Sequence, residues 1–295
     1  MSGFLPPVFT DPIPEPNLPI KPIMPEGEAP PRIPHIGHAI LFVAIAVFLL
    51  IVFESLLVLL HTHDPAQVSA TAHHPKLLVA SEALTYLLTI AASWLVFPLL
   101  WKRPFAEGLQ WNFAAARRLF LRLVPLGLVL GWTVEAVSSL LPMPKTMPID
   151  DFFRTQSDVW LITCFGTLLA PAFEEICFRG FLLPAFAIAY DWLTLARSPE
   201  AILRWRQTTT LTPASLVFSG ILTSVLFALL HAEQLAHAWA ALAVLLCVSL
   251  VLTVVRIYTK SVACSAIVHA SYNLSVFLGL FLATGGYRHL ERMTP

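Results

Sequence analysis

The chain has 295 residues, 57% hydrophobic and 12% charged, about half the charged share of an ordinary soluble domain; this excludes a water-soluble globule and makes the bilayer its solvent. Its 18 basic and 18 acidic residues cancel, so no net field draws a polyanion and no nucleic-acid partner is expected. Cys164, Cys177, Cys247 and Cys264 lie in apolar runs with no C-x-x-C pair, which argues against a disulfide framework or zinc ribbon and for small buried hydrophobes.

In chain order, residues 1–35 hold 11 of the 24 prolines. Proline removes the donors that helices and ladders need, so this stretch is read as a proline-rich, disordered cytoplasmic tail. It lacks the basic start and short apolar core of a signal peptide. Apolar runs follow at 36–60, 77–100, 119–141, 159–190, 215–237, 239–258 and 261–284. The fold class is therefore all-α: a polytopic transmembrane helical bundle of seven spans, or eight if the long fourth run is divided. As one helix that run would extend about 48 Å against a ~30 Å hydrocarbon core, so a break, tilt or interfacial extension is expected, with Pro171 and Pro184 the candidate break points. Residues 36–157 are assigned to amino-terminal transmembrane helices, 158–284 to a polar-site membrane core and 285–295 to a short tail. His61, His63, His73 and His74 are read as a solvated loop.

With the tail inside, the inner connections collect 12 Lys and Arg and the outer ones 5, Arg179 being left within a span. The expectation is an integral multi-pass protein of the cytoplasmic membrane with its amino terminus inside.

Ionisable residues inside apolar runs are the informative ones, because each central charge costs ~2.5 to 3.5 kcal/mol on the insertion scale. Glu54, Glu82 and Glu135 each stand alone in their run and read as protonated, snorkelling or interhelical groups. Glu174, Glu175 and Arg179 differ: three ionisable groups within six residues would cost on the order of 8 kcal/mol if unpaired at depth. On a helix Glu175 and Arg179 are i and i+4 and can pair, while Glu174 is rotated by ~100° and left free. The alternative is a helix end where all three are solvated. Phe227 and His231 stand i and i+4 on the fifth run, and His269 and Asn273 on the seventh. Together these segments read as one buried polar site containing a base, an imidazole and an amide.

Depth is a check on that reading. At 1.5 Å per residue Glu174 lies ~8 Å and His269 ~12 Å from the inner surface, whereas His231 lies ~24 Å deep, unless the fifth membrane helix begins nearer residue 222.

The ordered set E-E-x-x-x-R (Glu174, Glu175, Arg179), F-x-x-x-H (Phe227, His231) and H-x-x-x-N (His269, Asn273) resembles the CPBP family, which comprises the CAAX prenyl protease type II and bacteriocin-processing intramembrane proteases and is also called the Abi family. Gly180 and the stretch from Arg103-Pro104 to Gly108-Leu109 are similar to family members as well. The resemblance covers roughly residues 158–284, the CPBP-type catalytic membrane core, and implies peptide-bond hydrolysis in or beside the membrane. It implies that Glu174 and His231 activate water, that His269 and Asn273 stabilise the oxyanion, and that Glu175, Arg179 and Phe227 support them. The implied substrate is a membrane-associated or prenylated CaaX-type protein or peptide, met in the lipid bilayer. No cofactor is required in the favoured reading; the alternative is Zn, held by Glu174, His231 and His269 as a two-His, one-carboxylate set. His231 to His237 is not H-E-x-x-H, which argues against a zincin. The competing class is a non-cleaving, protease-like membrane scaffold or immunity protein.

Overall fold

A computed structural model describes residues 29–293 except 63, 65, 66, 69, 70, 72, 73 and 145. Most of the proline-rich tail therefore lies outside the described residues, as do His63 and His73. Residues 29–35 carry no regular structure, and the first helix starts where the prolines end.

Among the described residues seven helices are long and apolar enough to cross a membrane. They are α1 (Ile36–His61), α2 (Pro75–Trp101), α4 (Phe113–Ser138), α5 (Gln156–Thr194), α7 (Pro213–Leu230), α8 (Trp239–Thr259) and α9 (Val262–Ala283). Shorter α-helices intervene, among them α3 (Phe105–Gly108) and α6 (Pro199–Gln207). Among the described residues no strand occurs, as required where the solvent offers no partner for an open sheet edge. The chain is an integral multi-pass membrane protein.

Helix starts follow local capping chemistry. His35 accepts from the Gly37 N–H, and the His38 side chain accepts from the His35 N–H in return; burial pushes the His35 imidazole down, which favours the neutral form that can accept. Asn112 caps the Ala115 N–H, so α4 begins six residues before the expected run and takes Arg117, Arg118 and Arg122 into its first turns.

The fourth run is neither broken nor divided. The 39 residues of α5 stay helical through two π-helical segments, Phe165–Leu169 and Ile176–Leu182. Each lies just before a proline, Pro171 and Pro184 respectively. The expected break points thus act as register changes: a wider turn absorbs the missing N–H without ending the helix.

The fifth run ends earlier than expected. α7 spans Pro213–Leu230 and residues 231–237 are turns, with Ala236 and His237 at φ of 50° and 55°. The depth conflict at His231 therefore lies at the helix end, with no late start near residue 222. Only Cys264 of the four cysteines is buried; Cys164 and Cys247 are exposed and Cys177 is intermediate, so the buried reading holds for one of them.

α1 packs against α2, α4 runs along α9, and α7 lies against α8 and the end of α5. An aromatic core of Phe42, Phe97, Trp101, Phe105, Phe173 and Phe181 joins α1, α2 and α3 to α5. The α4–α9 contact depends on glycine: a Cβ at Gly127 would overlap the Val268 carbonyl and the Ser271 side chain, which cannot both move aside. Gly127→Ala is expected to cost about 1–3 kcal/mol by overpacking, measured as a lower thermal midpoint in detergent; an unchanged midpoint would show the helices free to separate. Residues 196–209 with 29–31 form a separate small unit, in which Ser198 caps α6 and the Ala29 N–H donates to Arg206 O at 2.7 Å.

Candidate functional site

The charged cluster is buried, not solvated. Glu175 and Arg179, on adjacent turns of α5, pair through Nη1 and Oε1 at 2.9 Å with side-chain exposures of 0% and 1%. Arg179 Nη2 also donates to the carbonyl and hydroxyl oxygens of Ser249 on α8, at 2.8 and 2.7 Å. Its guanidinium lies 5.1 Å from the centre of the Phe227 ring. A buried ion pair survives when its remaining hydrogen-bonding capacity is met, and Ser249 meets much of it.

Glu174, one residue earlier, points away from that pair and keeps 18% of its side chain exposed. The two adjacent carboxylates are thus differentiated as helical geometry requires: Glu175 takes the arginine and Glu174 does not. Both face His269, which α9 brings in through its contact with the 170–175 segment. His269 Nδ1 lies 3.1 Å from Glu175 Oε1 and its Nε2 lies 3.8 Å from Glu174 Oε2. Because the Glu175 carboxylate can only accept, Nδ1 carries a proton and Nε2 is the nitrogen turned to Glu174.

His231 is the first residue past α7. Its Nδ1 sits 2.8 Å from Phe227 O, a carbonyl that can only accept, so Nδ1 donates and Nε2 is left with its lone pair. Phe227 links the two imidazoles, its ring centre 4.8 Å from that of His231 and 5.8 Å from that of His269. Asn273, one turn after His269, donates from Nδ2 to Gly166 O at 2.6 Å. The structure therefore joins Glu174, Glu175, Arg179 and His269 directly, adds His231 through Phe227, and turns Asn273 to the first π-helical segment.

Two features had no signal in the sequence, and the neighbours of a third had none. Ser249 and Gly166 are ordinary residues in apolar runs, and only packing reveals their roles as acceptors. Glu82, read as solitary, lies close enough to Glu174 and Glu54 to feel both charges. Among the described residues, no group of three His, Cys, Asp or Glu side chains is arranged to hold a metal ion. A surface cavity of about 460 Å³, lined in part by Gln156, Trp160, Phe281 and Arg288, shares no residue with this group.

Residues 156–275 match the family model described as Rce1-like, type II CAAX prenyl endopeptidase. No match was found among the curated proteins or the solved structures. The matched stretch contains Glu174, Glu175, Arg179, Phe227, His231, His269 and Asn273.

Proposed function

From the Rce1-like, type II CAAX prenyl endopeptidase character of residues 156–275 we propose that the chain hydrolyses a peptide bond of a membrane-associated, CaaX-type prenylated protein or peptide, with Glu174 and His231 as the water-activating pair. The observation that carries this reading is the approach of His269 to both Glu174 and Glu175, at 3.8 and 3.1 Å. Two residues adjacent in sequence meet a histidine 94 positions beyond the second of them, and only one of the two is neutralised by arginine.

The chemistry runs through the side chains themselves. A water held between Glu174 and the free Nε2 of His231 gives a proton to Glu174 as its oxygen attacks the scissile carbonyl carbon. The carbonyl oxygen becomes an oxyanion, met by the second N–H of Asn273 and by His269 as an imidazolium, which donates Nδ1–H to Glu175 and Nε2–H to the oxyanion. Protonated Glu174 then delivers its proton to the leaving amine, and the C–N bond breaks to give a carboxylic acid and an amine. Arg179 keeps Glu175 ionised so that it goes on accepting from His269. The same reading has the amino terminus on the cytoplasmic side, supported by 12 inner against 5 outer basic residues.

The test is hydrolysis of a farnesylated peptide ending in a CaaX sequence by the chain reconstituted in lipid vesicles. Release of the three terminal residues is expected. His231→Ala is expected to lower the rate ~10² to 10⁴-fold with the thermal midpoint retained. No cleavage by the unaltered chain, or full cleavage by the variant, would reject the reading.

A further inference from the structure

We infer that Pro171 is a positioning residue for Asn273, acting by leaving the Gly166 carbonyl without a backbone donor; this rests on reading Asn273 as an oxyanion donor. At the end of the π-helical segment Phe165–Leu169 the Ala170 N–H reaches back five residues, to Phe165 O. The next donor in that register belongs to residue 171 and falls on Gly166 O. Residue 171 is proline and has no N–H. The helix thus holds an acceptor that it cannot satisfy itself, and lipid offers no donor in its place. Asn273 Nδ2 does so, at 2.6 Å.

This bond has a consequence for catalysis. A primary amide carries two N–H groups. With one committed to Gly166 O, the plane of the amide is fixed and the second N–H points in one direction rather than sampling several. Oxyanion donors work by being preorganised, so an orphaned carbonyl on α5 aims a donor on α9. Gly166 also permits the approach: a Cβ there would stand 3.1 Å from the ring of Phe277, which lies one turn beyond Asn273 on α9. Glycine, proline and asparagine at these three positions therefore form one device.

The experiment is a kinetic double-mutant cycle on the reconstituted chain, with the farnesylated CaaX peptide as probe. Pro171→Ala supplies an N–H that competes for Gly166 O. It is expected to lower kcat roughly tenfold, within the range for a misaligned catalytic group, with KM within about twofold. Asn273→Ala is expected to lower kcat ~10² to 10³-fold. The double variant is expected to match Asn273→Ala, since Pro171 then has nothing left to aim. Pro171→lactic acid, which resembles Pro171→Ala but puts an ester oxygen in place of the N–H, is expected to restore kcat; this arm keeps the test decisive if the alanine variant folds poorly. Losses that multiply in the double variant, or no rescue by the ester, would overturn the inference while leaving the proposed function standing. Full activity in Asn273→Ala would instead remove the oxyanion reading and this inference with it.

Discussion

Glu174→Gln, reconstituted in vesicles and given the prenylated peptide, is expected to lose about 10³ to 10⁴ of the hydrolysis rate, the upper part of the range for a positioned general base. Glutamine keeps the volume of glutamate and its capacity to hold a water, so the substitution removes basicity and little else. Glu174 makes no bond to Arg179, and its closest charged partner is His269 at 3.8 Å; the buried pair beside it is untouched. The thermal midpoint is therefore expected to stay where it is, and the substrate still to bind. A Glu174→Gln variant that cleaves at the normal rate would reassign the base. If cells carrying Glu174→Ala keep the phenotype of the unaltered chain, a non-cleaving scaffold becomes the better reading.

How much of this was legible in the sequence depended on whether a residue's chemistry conflicts with its surroundings. Three ionisable groups at 174, 175 and 179 in an apolar run conflict strongly, and helical rotation alone separated the paired carboxylate from the unpaired one. His231, His269 and Asn273 stood out for the same reason. Seven spans followed from length and hydropathy. The misses occurred where nothing conflicts. Ser249 is an unremarkable serine until α8 brings its carbonyl and hydroxyl to Arg179. Glu82 does conflict with its apolar run, but that run contains no other charge, and the charged neighbours it has are on other helices. Pro171 reads as a possible break in the sequence, which is the right physics with the wrong outcome: the missing N–H is absorbed by a π turn. The end of α7 was misplaced because residues 231–237 include apolar ones, and apolarity gives no sign that the chain leaves the helix at His231.

Arg179→Met separates what the ion pair does for the fold from what it does for the site. The substitution leaves the Glu175 carboxylate at 0% exposure with no cation, and removing one partner of a buried pair costs about 3–5 kcal/mol. A sharp fall in thermal midpoint is expected, with loss of hydrolysis. Replacing both partners, Glu175→Leu with Arg179→Leu, removes both buried charges at once; apolar replacement of a whole buried pair is often neutral or stabilising by about 1–4 kcal/mol. The midpoint is therefore expected to recover. Hydrolysis is not, because His269 Nδ1, now 3.1 Å from Glu175 Oε1, would have no acceptor to fix its tautomer or support it as an imidazolium. Stability and activity should part company in the double variant, and measuring both in the same detergent preparation checks it. Recovery of both would make the pair a structural element only; failure of the midpoint to recover would mean that the Arg179 bonds to Ser249, rather than its charge, hold α5 to α8.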